Sequence, residues 1–344
     1  MTLKSPRPVF IIGCPRSGTT LLQQMLDSHP RVALPAETRF TLTSYQARCT
    51  FGDLREADNR RRLGEWITRR GQTKFDTMGL DPDAIVERIV AGPPTIGSAV
   101  ETVFRSYASA HGKARWGDKR PSYFRKVPLL LRMFPDAQFV HLIRDGRDAV
   151  ASLRSMPWYG GDLYTAALTW REAIDTGRRL ARSFGPDTYF EFQYEHLVAD
   201  PERELRRLCA FLGEDYDPGM TEPHHVARRT IPPERLWHLR TLEKVNSDRV
   251  GTWNDRFEPW ELGLVETVLT AGLSDYGYAL SGAPEPTAAQ LARFYRAAAR
   301  RWRNQRRHAT SEWLRRRREP NPVESLLAGS HERARRPDRR ARSH

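Results

Sequence analysis

The sequence predicts an α/β fold, a three-layer sandwich with a central, mainly parallel sheet, followed by a helical C-terminal extension. Three observations support this expectation. Short apolar runs alternate with helical patterns along the chain, which is typical of parallel strands that are buried on both faces. A turn with two glycines joins the first run to the first helix. Near the C-terminus, apolar residues recur at threes and fours among many arginines, as in an amphipathic helix.

The first predicted strand and helix lie near the N-terminus. Residues 8–13, Pro-Val-Phe-Ile-Ile-Gly, form an apolar run that suits a buried strand. Residues 17–28 then carry a helical pattern that ends before Pro30. The apolar residues on one face of this helix are Leu21, Leu22, Met25 and Leu26.

A second strand is predicted over residues 138–143, followed by a helix over residues 147–156. Asp145 lies where the N-cap of this helix is expected. Asp148 lies three residues further on, where a reciprocal capping acid is expected.

The remaining segments complete the predicted organisation. Residues 188–192 form a third strand, and a helical pattern follows it over residues 201–212. Residues 41–113 are polar and helical in pattern, with no convincing strand, so we expect an inserted helical cap that faces the substrate. The expected divisions of the chain are a main domain over 1–282, a basic amphipathic helix over 283–319 and a disordered arginine-rich tail over 320–344.

Composition places the chain among ordinary globular proteins. Of its 344 residues, 39% are hydrophobic and 28% are charged, which excludes collagen-like and wholly disordered classes. No apolar run approaches the ~20 residues of a membrane span, and no signal-peptide pattern begins the chain. Cys14, Cys49 and Cys209 do not form a disulfide framework. We therefore expect a cytoplasmic protein.

The net charge of +14 is concentrated near the C-terminus. Residues 293–344 contain 17 arginines against five acidic residues, whereas residues 1–292 carry a net charge of only +2. The main domain is therefore nearly neutral, and the overall charge says little about its partner.

Residues 287–318 predict a basic amphipathic helix. Its apolar positions are Leu291, Tyr295, Ala298, Trp302, Ala309 and Trp313. Three interpretations are open. The favoured one packs this apolar stripe on the main domain and leaves the arginines in solvent. The others dock the helix on an anionic membrane surface, which would make the protein peripheral to the membrane, or on a nucleic acid or an acidic partner.

The turn over residues 13–20, Gly-Cys-Pro-Arg-Ser-Gly-Thr-Thr, predicts a phosphate-binding loop. Two glycines five residues apart let backbone N–H groups face inward, and the helix N-terminus adds the positive end of its dipole. The spacing is that of the P-loop, but Thr19 occupies the position of its lysine, and Arg16 offers a charge instead. We expect a P-loop-type fold whose loop binds a 5′-phosphate that is not part of a triphosphate.

Four blocks of sequence extend this prediction. The first spans 15–39, from Pro-Arg-Ser-Gly-Thr-Thr-Leu to Glu-Thr-Arg, and the second, at 117–121, is Gly-Asp-Lys-Arg-Pro. The third spans 134–152, with His-Leu-Ile-Arg-Asp-Gly-Arg-Asp, and the fourth spans 194–213 and begins Tyr-Glu-His-Leu. Together they resemble the sulfotransferases that use 3′-phosphoadenosine-5′-phosphosulfate (PAPS), most of all the bacterial branch and the tyrosylprotein sulfotransferases. The resemblance identifies the main domain as a sulfotransferase-like catalytic domain.

The resemblance implies PAPS as the cofactor and a set of residues that bind it. Arg144 and Ser152 match the pair that holds the 3′-phosphate, and the loop around Thr19 and Thr20 matches the 5′-phosphate site. Tyr194 is expected to pack near the cofactor or to orient Arg144, although a buried tyrosine at a strand end is an equal alternative. The sequence around residues 247–254 is similar to a shortened form of the family's cofactor-closing loop. The implied cofactor-binding residues are Arg16, Ser17, Gly18, Thr19, Thr20, Arg144, Ser152, Tyr194, Ser247 and Arg249.

The resemblance also implies the catalytic residues. Glu37 matches the catalytic glutamate of the Glu-Thr-Arg motif and is the candidate general base, whereas a loop glutamate taken alone is usually solvated. Lys119 matches the lysine that stabilises the bridging oxygen, and Arg16 is expected to assist it.

The predicted function is transfer of the sulfuryl group of PAPS to a hydroxyl, or less favourably an amine, by in-line displacement. A P-loop kinase or hydrolase is the first alternative, and Thr19 argues against it. A non-catalytic nucleic-acid- or membrane-binding protein is the second, and the nearly neutral main domain argues against it. No metal site is predicted. The acceptor is left open between a small molecule, a carbohydrate, a lipid-linked group and a peptide, and a homodimer is left open as well.

Overall fold

The computed structural model describes residues 7–224 and 245–327. A five-stranded sheet forms its centre, and every pair of neighbouring strands is parallel. The strands, in the spatial order β2-β3-β1-β4-β5, are β1 (Val9–Gly13), β2 (Val32–Ala33), β3 (Arg115–Lys119), β4 (Gln138–Ile143) and β5 (Tyr189–Gln193). The predicted α/β fold with a parallel sheet is confirmed.

The central strand β1 shows why the sheet needs continuous apolar runs. Side chains alternate across a strand, so Phe10 and Ile12 belong to one apolar core and Val9 and Ile11 to the other. Helices cover both faces of the sheet, and all four side chains are fully buried. A strand in this position therefore carries no polar face.

Helices form the two outer layers. On one face of the sheet lie α1 (Thr19–Asp27), α9 (Tyr194–Ala199) and α10 (Pro201–Leu212). On the other lie α6 (Val127–Met133), α7 (Gly146–Arg154), α8 (Leu163–Ser183) and α11 (Pro259–Asp275). The segment predicted as a cap contains α2 (Phe40–Ala47), α3 (Ala57–Arg69), α4 (Pro82–Ala91) and α5 (Ile96–Ala110), and the C-terminal extension contains α12 (Ala288–Arg316). Among the described residues, no helix combines the length and apolar character needed to cross a bilayer.

The predicted strands agree closely with the structure. The bounds of β4 are those predicted, β1 begins one residue later than predicted, and β5 is shifted by one residue at both ends. The sequence pattern does not predict β3, because three of its five residues, Arg115, Asp118 and Lys119, are charged. All three are buried, and Arg115 donates to the carbonyl of Leu212 at 2.7 Å and pairs with Glu214 at 3.4 Å. Buried partners therefore allow charged residues in an interior strand.

The start of α7 follows one of the two predicted caps. The carboxylate of Asp145 accepts a hydrogen bond from the backbone N–H of Arg147 at 2.9 Å, as predicted. The reciprocal role predicted for Asp148 is wrong. The backbone N–H of Asp145 donates instead to Glu195 at 2.9 Å, because α9 brings that carboxylate to the cap. Asp148 is thus available for another partner, the loop over residues 249–254.

The extension helix α12 packs on α8 through a face that overlaps the predicted stripe only in part. Phe294 and Ala297 are buried in this contact. Tyr295, Trp302 and Trp313, which belong to the predicted stripe, are 59%, 55% and 51% exposed. The favoured interpretation, in which this stripe packs on the main domain, is therefore wrong for these three residues, whereas Leu291 and Ala298 of the stripe are partly buried against the core. The contact face lies to one side of the stripe, because Phe294 is the aromatic residue that reaches α8.

Residues 320–327 pack on α5 and α6, so the predicted disorder of the tail is wrong for this part. The backbone N–H of Gly97 donates to the carbonyl of Val323 at 2.9 Å. The backbone N–H of Ser325 donates to the carbonyl of Met133 at 2.7 Å. Without these bonds, the backbone N–H and C=O groups of this segment would have to bond to water. The rest of the predicted tail lies outside the described residues.

Candidate active site

A cavity of about 730 Å³ lies at the carboxyl ends of β1, β3 and β4. The segments that leave these three strands line it, and ligands of parallel α/β sheets commonly bind at this edge. The predicted site residues that line the cavity are Arg16, Gly18, Thr19, Thr20, Glu37, Lys119, Arg144, Ser152, Tyr194 and Arg249. Among the described residues, no group of His, Cys, Asp and Glu side chains could hold a metal ion.

The loop between β1 and α1 has the geometry of an anion cradle. Gly18 is the N-cap of α1 and adopts the left-handed conformation with φ 87°, which favours glycine. A Cβ at this position would overlap the ring of Tyr194, so the close approach also requires glycine. Arg16 adopts a positive φ of 75°, which is uncommon for a residue with a side chain. Such strained conformations concentrate at functional sites.

Ser17 lies beneath the cavity rather than in its lining. Its side chain is buried, and its Oγ has no hydrogen-bond partner among the described residues. A buried hydroxyl without a partner costs free energy, so this atom is suited to a ligand oxygen that enters the loop.

Arg144 is held at the end of β4 by several contacts. Its guanidinium donates to the carbonyl of Arg16 at 3.0 Å and to the carbonyl of Arg249. It also lies 3.5 Å from the carboxylate of Asp148 and 4.8 Å from the ring centre of Tyr194. Tyr194 packs against Arg144 and is also buried at the end of β5, so both roles expected of it stay open. The Nε of Arg144 is buried and has no hydrogen-bond partner among the described residues.

Arg16 joins the same cluster of positive charge. Its Nε donates to the Oγ of Ser152 at 3.1 Å. Burial, and then the neighbouring charges of Arg144, Arg249 and Arg256, lower the pKa of Arg16 to about 10. Like charges gathered in a partly dry cavity repel one another, and a bound anion would relieve that repulsion. The predicted cooperation of Arg16 with Lys119 stays a prediction.

Lys119 and Glu37 face each other across the mouth of the phosphate loop. The Nζ of Lys119 is buried and donates to the Oγ1 of Thr20 at 3.3 Å and to a carboxylate oxygen of Glu37 at 3.4 Å. Arg120 lies 3.9 Å from the other oxygen of Glu37. Burial works to raise the pKa of Glu37, but Lys119, Arg120 and Lys74 outweigh it and hold that pKa below its ordinary value. Glu37 is therefore ionised at neutral pH.

Asp118 connects the segment of Glu37 to the strand of Lys119. It is fully buried and accepts hydrogen bonds from the Oγ1 of Thr41, at 3.1 Å, and from the hydroxyl of Tyr123. Burial raises the pKa of Asp118 to about 6. Because Thr41 lies in the first turn of α2, four residues after Glu37, this bond ties the segment that follows Glu37 to β3.

The loop over residues 249–254 is tied to α7. Asp148 accepts hydrogen bonds from the backbone N–H of Gly251 at 2.9 Å and from the Oγ1 of Thr252 at 3.0 Å. The guanidinium of Arg147 lies 3.9 Å from the ring centre of Trp253. These contacts bring Arg249 into the cavity lining. Ser247, also predicted to bind the cofactor, is exposed and lies outside that lining.

The lining contains residues that the sequence prediction missed. Lys74 comes from the cap and has a left-handed backbone, with φ 58°. Trp158, in the loop after α7, is 51% exposed at the cavity. Neither belongs to a recognised block, so the sequence carries no signal for them. The other cationic residues missed are Arg39, Arg120 and Arg256, of which the first two lie within predicted blocks.

These features define an α/β protein with a P-loop-type anion site from which the P-loop lysine is absent. A family model described as the sulfotransferase family matches residues 8–218, so the chain belongs to the sulfotransferase family. The sulfotransferase domain of the Synechococcus PCC 7002 olefin synthase is similar in structure, with a TM-score of 0.53 and 26% identity, covering 80% of this chain and 97% of that one. The sulfotransferase domain from the curacin biosynthetic pathway shares the fold, with a TM-score of 0.52, 19% identity and coverage of 81% and 100%.

Curated relatives include eukaryotic and bacterial proteins. The protein-tyrosine sulfotransferase of Drosophila melanogaster is 28% identical over 71% of this chain and 46% of its own length. Protein-tyrosine sulfotransferase 2 of Gallus gallus is 31% identical over 60% of this chain and 50% of its own length. The nodulation protein NoeE of Sinorhizobium fredii is 26% identical over 78% of this chain and 65% of its own length. The chain thus spans about half the length of the first two relatives.

Proposed function

We propose that this protein transfers the sulfuryl group of PAPS to a hydroxyl group, with an amine as a less favoured acceptor. The observation that carries the proposal is a cavity in which Glu37 and Lys119 lie beside the phosphate loop and Arg144. The family and the fold support sulfuryl transfer. The identity of the cofactor, the base and the in-line displacement are our inferences.

The residues of the cavity fit a nucleotide that carries two separate phosphate groups. The orphaned Ser17 Oγ in the loop and the orphaned Arg144 Nε at the end of β4 are two buried donors that phosphate oxygens would satisfy. Backbone N–H groups at the start of α1 add donors for the 5′-phosphate. Bound PAPS would supply a sulfuryl group attached to a phosphate, and this phosphate would carry the negative charge as it leaves.

We assign the two ends of the cofactor to different elements. The loop with Ser17, Gly18, Thr19 and Thr20 would bind the 5′-phosphate. Arg144, Ser152 and Arg16 would bind the 3′-phosphate, since Arg16 bonds to Ser152 and lies near Arg144. Arg249, with Tyr194 opposite, would close this end. The exposure of Ser247 argues against a direct part for it.

Glu37 is proposed as the base that takes the proton of the acceptor hydroxyl. The surrounding cations keep it ionised, so it can accept a proton as the new oxygen–sulfur bond forms. Lys119 would stabilise the charge that develops on the leaving phosphate oxygen, because its Nζ lies between Glu37 and Thr20 of the loop. In-line displacement then requires the acceptor oxygen on the Glu37 side and the leaving oxygen on the loop side.

Two alternatives are less well supported. A P-loop kinase or hydrolase needs a cation beside the β- and γ-phosphates at the position where this chain has Thr19. A non-catalytic binding protein would have no need of an ionised carboxylate paired with a buried lysine. We leave the acceptor open between a small molecule, a carbohydrate, a lipid-linked group and a peptide. Two of the relatives are named for protein tyrosine, which is one hydroxyl of this kind.

The test is calorimetric binding of 3′-phosphoadenosine-5′-phosphate, compared with ATP and ADP. We expect the bisphosphate to bind the wild type at least tenfold more tightly than ATP does, because Arg144 and Ser152 would read the 3′-phosphate. Arg144→Ala and Ser152→Ala should each weaken the bisphosphate selectively, by about tenfold or more, since each removes a phosphate contact.

Glu37→Gln is the matched control, because it lies outside the proposed phosphate contacts. It should bind the bisphosphate as the wild type does, while an acceptor screen with labelled PAPS should show transfer reduced about 10²- to 10⁴-fold. Preferential binding of ATP, or no nucleotide binding by the folded protein, would contradict the proposed cofactor.

A further inference from the structure

The extension helix α12 exposes a row of aromatic side chains beside a row of arginines, and we propose that this surface binds an anionic lipid bilayer. The inference is independent of the proposed function. Tyr295, Trp302 and Trp313 form the row and are each more than half exposed. We call these three residues the aromatic row.

The aromatic row does not face the protein. At about 100° per residue along a helix, it lies about 120° around α12 from the face of Phe294, Ala297 and Arg301. Phe294 and Ala297 are buried, and that face contacts α8. Packing on the main domain, the ordinary reason for a tryptophan in an amphipathic helix, is therefore excluded for this row. Exposed aromatic side chains aligned along one face of a basic helix are typical of an interaction surface.

The body of the protein holds α12 in this orientation. Arg301 pairs with Glu172 of α8 and donates to the Oγ1 of Thr169 at 3.1 Å. Near the C-terminal end of α12, Glu312 accepts from the buried Arg48 at 3.0 Å. Because α12 is held at its middle and near its C-terminal end, it cannot turn its aromatic row inward without breaking these ion pairs.

The charge of α12 favours an anionic partner. The helix contains nine arginines and a single acidic residue, Glu312, which points to the body. The outward surface therefore carries no negative charge. The exposed arginines on the side away from the body are Arg293, Arg296, Arg300, Arg303 and Arg307.

A bilayer matches the combination better than the other partners do. Tryptophan and tyrosine favour the membrane interface, and long arginine side chains reach headgroups while their stems stay apolar. The 29 residues of α12 give a surface about 43 Å long, which can lie along a bilayer. A second copy of the chain would bring two arginine-rich surfaces together. A duplex nucleic acid would use the arginines and leave the aromatic row without a partner.

The experiment is co-sedimentation of the full chain with vesicles of phosphatidylcholine alone or with phosphatidylglycerol. We expect binding to the anionic vesicles, at least tenfold weaker binding to the neutral ones, and a loss of binding as salt rises. The double variant W302S/W313S should weaken binding about tenfold or more. Trp260→Ser is the control and should leave vesicle binding unchanged, since Trp260 is also exposed, at 41%, but lies on α11.

A second pair of variants tests the charge. Arg300→Gln with Arg303→Gln should weaken binding to anionic vesicles about 30-fold, from the usual contribution of a basic residue near a charged membrane. Arg179→Gln with Arg182→Gln removes the same charge from exposed positions of α8 and should leave binding unchanged. Circular dichroism checks that all variants fold.

Three results would overturn the inference. The first is an absence of vesicle binding at low salt. The second is equal binding by W302S/W313S and the wild type. The third is that another kind of binding explains the effects of these substitutions on vesicle binding. That could be nucleic-acid binding, tested with a duplex RNA or DNA competitor, or self-association, measured by sedimentation.

Discussion

At the scale of single residues, the site depends on the ion pair between Lys119 and Glu37, two residues that are buried to different extents. Lys119 is buried, whereas Glu37 is partly open to the cavity. The lysine keeps the glutamate ionised, and the glutamate offsets the cost of burying the lysine. This arrangement keeps an ionised carboxylate at the cavity, as the proposed role of Glu37 as a base requires.

We expect the titration of Glu37 to reveal this pair. Its pKa in the folded protein lies below the ordinary value of 4.5, so ionised Glu37 stabilises the fold above pH 4.5, and this contribution is lost as the pH falls through the folded pKa. Lys119→Met should raise the pKa of Glu37, and Lys74→Met should raise it less, following the order of their effects. Carbon-detected NMR titration of the Glu37 carboxyl measures both shifts.

The matched control is Lys126→Met, which removes a lysine that lies outside the cavity lining. It should leave the titration of Glu37 unchanged. A Glu37 pKa that does not move in Lys119→Met would show that the ion pair does not govern the charge of the carboxylate.

At the scale of elements, α7 organises the site through both of its acidic residues near the start. Asp145 caps the helix, and Asp148 binds the loop over residues 249–254. The same helix carries Ser152 on the side of the cavity. One helix therefore holds both Ser152, a proposed phosphate-binding residue, and the loop over residues 249–254.

Asp148→Asn should loosen this loop. The asparagine keeps one acceptor oxygen but loses the charge that faces Arg144 and one of two bonds to Gly251 and Thr252. Hydrogen bonds to a charged group are worth about 1.5–3 kcal/mol, so we expect the bisphosphate nucleotide to bind roughly tenfold to a hundredfold more weakly. Calorimetry measures this change. Asp255→Asn, an exposed neighbour in the sequence, should leave the affinity unchanged, and equal affinities of all three proteins would refute the role of Asp148.

At the scale of the whole molecule, the C-terminal extension crosses back over the cap. Arg48 at the end of α2 is fully buried and pairs with Glu312 at 3.0 Å and Glu319 at 2.7 Å. Glu319 also pairs with Arg132 of α6 at 2.8 Å. Arginines of the cap and of α6 thus share one cluster of ion pairs with glutamates of the C-terminal extension. This cluster joins the extension to the segment that follows Glu37.

Glu319→Gln should destabilise the folded protein by about 2 kcal/mol, because it leaves a buried arginine with one ionised partner instead of two. Urea unfolding followed by circular dichroism measures the free energy of unfolding. Glu324→Gln changes an exposed glutamate in the same segment and should be neutral. Equal midpoints for the two variants would show that the cluster contributes nothing to stability.

Some parts of this protein can be predicted from its sequence, and others cannot. β1 and β4 are predictable because both of their faces are buried, so they carry apolar runs. The loop over residues 13–20 is predictable because its glycines are required by its backbone conformation. β3 is not predictable, because its charged residues find partners that lie far away in the sequence, such as Glu214 for Arg115.

The sequence alone determined the parallel α/β fold, the anion loop without its lysine, and the resemblance that indicated Glu37, Lys119 and Arg144. Each of these depends on local patterns of apolarity, glycine and short motifs. The tertiary structure decided which charges meet in the cavity and which face of α12 is left exposed. Those outcomes depend on contacts between distant segments, such as Phe294 on α8, and no local pattern records which of two apolar faces a folded body will cover.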